Sequence, residues 1–326
     1  MPQLGKDNPL VSIIVRTKDR PKMLRRALGS IAAQGYRPIQ TVIVNDGGCD
    51  LPVDEFVMLL SDIPVTYVKL KNNGGRARAA NVGIHDALGD YFCFLDDDDI
   101  FYRDHVATLV SALAKNEYSV AYADANLSHV RLSDDGEVKI IISKKVFSSK
   151  AFSYFDLIVQ NYIPLHCLLF SRQILNHVKG FDESFDIYED WDFLVRAAEI
   201  FPFCHVERVT AEYVMWSNTS QVTQRRDFIE NAKGMKHKIL GKLKERITED
   251  MLFELIQAIR VNETLKVENK ELKKELKTLG YEFTDIVKLV NKFIRYKLDK
   301  YVMWRFQKNQ HSSNVPVNDT HNRNVA

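Results

Sequence analysis

Four adjacent aspartates, Asp96 to Asp99, directly follow the apolar run Tyr91-Phe92-Cys93-Phe94-Leu95. Four neighbouring carboxylates repel one another, so a run of this kind at the end of a buried strand calls for a compensating cation. Oxygen ligands at this density suit Mg²⁺ or Mn²⁺, and such ions keep positions open for water and substrate phosphates. The run therefore points to an enzyme that handles a diphosphate, with a nucleotide sugar as the expected substrate. Read alone, it would fit a solvated acidic turn equally well. Other polar groups stand at similar places. Thr17 ends one apolar run and Asp46 another, Arg76 and Arg78 follow Gly74-Gly75, and Glu189-Asp190 opens a helical pattern. An arginine at such a place can pair with a diphosphate or with the carboxylates themselves. Two acids at a helix start can do chemistry, or can simply favour the positive end of the helix dipole.

The elements that must position these groups follow a repeating order. Leu10 to Val15 reads as a buried strand, Arg16 to Arg20 as a polar loop, and Pro21 starts a helix with Leu24, Leu28 and Ile31 at helical spacing. Gln40 to Val44 is a second strand stopping at Asn45-Asp46-Gly47-Gly48, and Val65 to Val68 is a third. A helix from Arg76 to about Ala87 leads into a fourth strand, Tyr91 to Leu95. Strand–helix–strand units of this kind build a parallel sheet, and ligands collect at the carboxyl ends of its strands. Beyond them the spacing predicts a helix over 104–116, strands over 119–123, 138–143, 163–170 and 206–213, a short helix over 171–177, and a helix from Glu189 to about Ile200.

Composition bounds the partners. The 326 residues are 45% hydrophobic and 27% charged with a net charge of +2, so nothing global points to nucleic acid. Charge is uneven: residues 231–308 hold 19 Lys/Arg against 11 Asp/Glu. The four cysteines form no CxxC pair, which argues against a cysteine zinc site and fits a reducing compartment; Cys93 and Cys167 read as buried thiols. No apolar stretch reaches the roughly 18 residues that span a bilayer, and Met1 to Pro9 lacks the pattern of a secretory leader, so the expected location is cytoplasmic.

The C-terminal third differs. From about Arg225 glycine and proline nearly vanish, and charged residues alternate with Leu and Ile. With Leu255, Asn262, Asn269 and Leu276 at a and Ala258, Leu265, Leu272 and Leu279 at d, residues 252–280 form about four heptads, a coiled coil that would make a homodimer. The other reading is a long amphipathic helix packed on its own domain. Residues 284–308 alternate apolar and aromatic bulk with Lys and Arg, which suits peripheral contact with an anionic membrane or an extension of the dimer interface. Residues 309–326 are polar and read as a disordered tail.

Six segments in order resemble family 2 glycosyltransferases. They are Val11 to Thr17, Val42 to Gly47, Asn73 to Gly83, Phe94 to Asp99, Gly180-Phe181-Asp182-Glu183 and Glu189-Asp190-Trp191-Asp192. The resemblance implies a GT-A fold, a Rossmann-like α/β nucleotide-diphospho-sugar transferase domain over 8–225, followed by the helical region 226–308. It implies an inverting, metal-dependent transfer of a sugar, expected from a UDP-sugar, to a saccharide or lipid-linked saccharide. On this basis Asp46 reads the base, Thr17 lies against the nucleoside, and Arg76 or Arg78 meets the diphosphate. Asp98 contacts Mn²⁺ or Mg²⁺ directly, Asp96 and Asp97 hold ribose or the ion through water, Asp190 is the general base and Glu189 orients it or the acceptor.

Two departures accompany the resemblance. Ala80 precedes Asn81 where relatives often carry Arg, and no His follows Tyr213 where one can complete the metal site. His166 is a candidate for acceptor or phosphate contact or, alternatively, a structural histidine. A sugar nucleotidyltransferase would need a Gly-rich basic loop after the first strand, which Arg16 to Arg20 lacks. A non-catalytic scaffold on the same fold would draw its support from the two departures.

Overall fold

The computed structural model describes residues 8–115, 118–132, 139–147, 150–216 and six residues between 234 and 242. Two compact units divide the chain, Met1–Ile247 and Thr248–Ala326. The proposed coiled coil (252–280), the basic helix (284–308) and the tail (309–326) lie outside the described residues.

The first unit is built on one mixed sheet. Strands β1 (Val11–Thr17), β2 (Ile39–Asn45), β3 (Val65–Lys69) and β4 (Tyr91–Asp96) are parallel, with β1 at their centre between β2 and β4. Every residue of β1 and β2 is buried, which is why both read as nearly continuous apolar runs rather than alternating ones. The connecting helices are α1 (Pro21–Ala32), α2 (Val53–Leu60) and α3 (Arg76–Asp86). Pro21 stands in the first turn of α1, where its missing N–H costs nothing, and Leu24, Ala27, Leu28 and Ile31 make its buried stripe. Helix α3 presents Ala77, Ala80, Gly83 and Ile84 inward, and a Cβ on Gly83 would collide with the Ile14 side chain. Small residues there let α3 lie close on the sheet and bring Arg76 to the strand ends.

Beyond β4 the sheet continues through β5 (Ile100–Phe101), β6 (Val120–Leu132), β7 (Lys139–Phe147), β8 (Leu168–Ser171) and β9 (Phe203–Trp216). The order is β3-β2-β1-β4-β8-β6-β9-β5, with β7 paired to β6. The α-helices α4 (His105–Lys115), α5 (Tyr154–Val159) and α6 (Glu189–Ala198) follow among the described residues. The chain moves outward from β1 to β2 and β3, then returns to the other side of β1 as β4. This reversal opens a crevice at the carboxyl ends of β1 and β4, the place where open α/β sheets bind ligands.

Several expected elements differ in extent. The strand expected at 119–123 runs to Leu132 and the last strand runs from Phe203 to Trp216, because the two pair with each other along most of their length. The apolar run 163–170 divides into a 3-10 turn at Leu165–Cys167 and the short β8, since Pro164 starts a turn before the strand. The short helix expected at 171–177 is a 3-10 turn over Arg172–Asn176. Helices α2 and α5 were not expected. With eight and six residues, they are too short for a helical period to stand out.

Candidate active site

The tetra-aspartate run does not act as one cluster. A turn closed by Asp99 N–H donating to Asp96 O alternates the four side chains. Asp97 and Asp99 turn inward, at 1% and 2% exposure, while Asp96 and Asp98 face the crevice at 30% and 15%. Each acid has its own partners. Thr17 Oγ1 donates to Asp97 at 2.7 Å, and Arg20 reaches both Asp97 (3.2 Å) and Asp98 (2.9 Å). Asp99 accepts from Val214 N–H at 2.9 Å and pairs with His166 Nδ1 at 3.0 Å, which ties the end of β4 to β9. Burial pushes the Asp97 and Asp99 carboxyls up, Asp99 to about 6, against the pull of Arg20 and His166 respectively.

Asp96 belongs to a ring of four charges. Arg16, at the end of β1 and only 6% exposed, donates to Asp96 Oδ1 through Nη2 (2.6 Å) and Nε (3.1 Å), and to Glu189 Oε1 through Nη1 (3.2 Å). Arg76, at the start of α3, closes the ring with 3.1 Å to Glu189 Oε1 and 3.6 Å to Asp96 Oδ2. Burial opposes the charge on Asp96, but the two guanidiniums win and hold its carboxyl far below the usual range. Glu189 is fully buried at the centre of this frame, and its Oε2 has no hydrogen-bond partner among the described residues. Removing one member of such a ring would strand the others, which is the costly direction for buried ions.

Asp46 lies at the end of β2. Its two carboxylate oxygens accept from Gly74 N–H (2.6 Å) and Gly75 N–H (3.0 Å), so it holds the turn that starts α3. Gly47 is left-handed (φ +69°), and a Cβ there would meet the Asn72–Asn73 backbone. Each Asp46 oxygen keeps a lone pair, so the group can also accept from a base. Arg78 is exposed, its stem packs over Gly74, and it forms no ion pair among the described residues. Residues 76 and 80 lie one turn apart on the same helix face, so Arg76 covers the ground that Ala80 leaves open.

Helix α6 carries the last acids. Asn81 fixes its approach: the side-chain Oδ1 accepts from Phe181 N–H (2.8 Å), and Nδ2 donates to Phe181 O (2.9 Å) and Glu183 (3.0 Å). Gly180 sits at φ +86° with its open side against Asn81. Two of the motif segments therefore interlock. Tyr188 caps α6 in the left-handed region (φ 63°), a strained conformation for an aromatic residue, and directs Glu189 and Asp190 into the crevice. Asp190 is half-buried. Its Oδ1 accepts from Trp191 N–H (2.8 Å) and its Oδ2 from Asn161 Nδ2 (3.2 Å). Burial, reinforced by neighbouring Glu189, raises Asp190 to about 6 despite Arg76 and Arg16. Trp191 is 3% exposed and donates from its indole to Leu157 O, which makes it a core residue.

The structure thus brings Asp96, Asp97, Asp98, Thr17, Arg76, Glu189 and Asp190 together around the β1/β4 crevice, with Asp46 at the neighbouring strand end and Arg78 outside the charge network. His166 is buried, pairs with Asp99 and stacks on Tyr213 (5.8 Å). Sequence reasoning missed Arg16 and Arg20, although a lone cation ending an apolar strand is a signal of a buried ion pair. It also missed Asn161, which no motif marks. Among the described residues no three His, Cys, Asp or Glu side chains form a ready-made metal cage. Mg²⁺ and Mn²⁺ at nucleotide sites need less, one or two carboxylates with the phosphates supplying the rest. Crevice-facing Asp98 fits that donor set, whereas Asp96 is already held by two guanidiniums.

Comparison with known proteins bears on the family and the fold. Residues 12–178 match the family model described as glycosyl transferase family 2. An uncharacterized glycosyltransferase of Bacillus subtilis, YwdF, is 29% identical over 209 residues, covering 64% of this chain and 74% of that protein. An uncharacterized glycosyltransferase of Rickettsia felis is 37% identical over 121 residues, 36% of this chain but a fifth (20%) of that protein's length. Among solved structures, S. aureus TarS 1–349 in complex with UDP-GlcNAc superposes with a TM-score of 0.54 at 17% identity, covering 75% of each chain, which is a likeness of fold.

Proposed function

This chain belongs to glycosyl transferase family 2, and we propose that it moves a sugar from a UDP-sugar to a hydroxyl of a saccharide or lipid-linked saccharide, with inversion at the anomeric carbon. One observation carries the reading: Asp190, whose carboxyl burial raises to about 6, shares the crevice with Asp98 and with the Arg16–Arg76 charge frame, a set of groups that suits an acceptor hydroxyl beside a diphosphate. Asp46 accepts from the base, with Thr17 and the strand end beside it lining the nucleoside side. Arg76 leaves its long 3.6 Å contact with Asp96 for the diphosphate, while Arg16 keeps Asp96 and Glu189 in place. Asp190 takes the proton of the acceptor hydroxyl as its oxygen attacks the anomeric carbon from the face opposite the leaving diphosphate. Glu189 holds the two arginines, so its part is to fix the frame rather than to move the proton. Asp98 would hold Mg²⁺ or Mn²⁺, which when bound neutralises the charge on the departing nucleoside diphosphate.

TarS has been solved with UDP and with UDP-GlcNAc, which supports a uridine nucleotide as the first donor to test. No helix among the described residues is long and apolar enough to cross a membrane. Dimerisation through 252–280 and peripheral membrane contact through 284–308 remain part of the proposal. Loss of anionic-vesicle binding on deleting 284–308 supports the latter, and failure of the full chain to bind removes it. The reaction itself is tested by nucleotide release from UDP-, GDP- and dTDP-sugars with Mn²⁺ or Mg²⁺. Release from one UDP-sugar, lost with chelator and in Asp98→Ala, is the expected result. Metal-independent release, or release from a different nucleotide only, overturns the corresponding part.

A further inference from the structure

Among the described residues, Asn161 is the neutral side chain that donates to the Asp190 carboxylate, and it comes from a segment with no recognisable motif. It lies between α5 and the 3-10 turn at Leu165–Cys167, and that segment is pinned at both ends. Trp191 Nε1 donates to Leu157 O (2.6 Å), the Tyr162 hydroxyl accepts from Ser153 N–H (2.9 Å), and Ile163 is buried at 1%. The pinned backbone delivers Asn161 Nδ2 to Asp190 Oδ2 at 3.2 Å. The amide orientation is set by chemistry: a carboxylate only accepts, so the amide nitrogen must face it. The other end, Oδ1, is buried and has no partner among the described residues. A buried acceptor without a donor is costly, so this side chain is not kept here by its own hydrogen bonding. It fits a place where a hydroxyl or water enters beside Asp190 and supplies the missing donor.

Resting on the glycosyltransferase reading, we propose that Asn161 is a positioning residue for Asp190. Its N–H holds the carboxylate ionised and aimed at the acceptor, and its oxygen receives a hydroxyl of the acceptor or a water in its place. The groups around Asp190 leave this task open. Glu189 is a carboxylate and offers it no donor when ionised, and Arg76 from α3 and Arg16 from β1 act on it through charge, Arg16 while donating to Glu189 and Arg76 while ion-paired with it. Trp191 N–H satisfies Oδ1 alone. Among the described residues, Asn161 Nδ2 is the side-chain donor at Oδ2.

The test is the titration of Asp190 in the full-length protein labelled with ¹³C at aspartate carboxyls, the resonance being the one missing in Asp190→Asn. In the unsubstituted protein it should titrate near the value of about 6 that burial and Glu189 impose. In Asn161→Leu, which removes the donor, the midpoint should move up. In Asn161→Asp, which adds a like charge, it should move up further, by about one pH unit or more. The acid limb of UDP release from UDP-GlcNAc should move with it while UDP affinity stays unchanged. An Asp190 midpoint that is the same in all three proteins overturns the proposal. A midpoint that moves in a protein releasing no nucleotide from any sugar donor leaves Asn161 in this role and counts instead against the glycosyltransferase reading.

Discussion

Asp96 and Asp190 stand on opposite sides of one crevice and meet burial with opposite results. Asp96, on the β1–β4 side, is enclosed by Arg16 and Arg76 and stays ionised far below the ordinary range. Asp190, on the α5–α6 side, receives one backbone N–H and one amide N–H, sits beside Glu189, and rises to about 6. Desolvation is the largest influence on both; at Asp96 two guanidiniums in contact together outweigh it, and at Asp190 the same two act from farther away and do not. The first side is therefore an arrangement of balanced charge in which Arg16 is held tightly, while the long Arg76 contact leaves that guanidinium able to turn toward an added anion. The second keeps a carboxylate poised to take a proton near neutral pH.

Substitutions can break this contrast, and the largest expected effect is at Asp190. Asp190→Asn should lower sugar transfer and donor hydrolysis by about 10²–10⁴-fold, the usual worth of a positioned base, with UDP affinity by calorimetry within about twofold. Glu189→Ala should act through the frame instead. It leaves Arg16 buried with one partner fewer and should cost about 3–5 kcal/mol in a denaturant titration. Asp46→Ala removes two charge-assisted hydrogen bonds from the turn before α3 and should weaken UDP binding by about tenfold or more. A smaller effect follows at Gly180→Ala, where φ +86° and the Asn81 side chain oppose a Cβ. A loss of about 1–3 kcal/mol is expected there, with the pH profile unchanged. Were Glu189→Ala to mimic Asp190→Asn in rate while leaving stability intact, the two sides would not be distinct in the way the geometry indicates.

The first side was largely legible in the sequence. Buried parallel strands write themselves as apolar runs, and their polar ends, Thr17, Asp46 and Asp96–Asp99, fall where the runs stop. What could not be read was how the four acids divide. The inward turn of Asp97 and Asp99 depends on Thr17, Arg20, His166 and Val214, which come from three distant segments. Glu189, which the resemblance assigns to orienting Asp190 or the acceptor, also pairs with Arg16 and Arg76, contacts that no spacing in the sequence announces because the arginines come from β1 and α3. The second side was poorly legible. Asn161 has no periodic or motif context, and its place is fixed only by tertiary contacts through Trp191, Tyr162 and Ile163.

The pH dependence of UDP release from UDP-GlcNAc, with Mn²⁺ present and Asp190→Asn run in parallel, tests the central claim most directly. An active base must be ionised, so the rate should rise tenfold per pH unit below a midpoint near 6 and level off above it. That limb should vanish in Asp190→Asn while UDP still binds. A profile that is flat through pH 6, or an Asp190→Asn protein as fast as the unsubstituted one, would contradict the account.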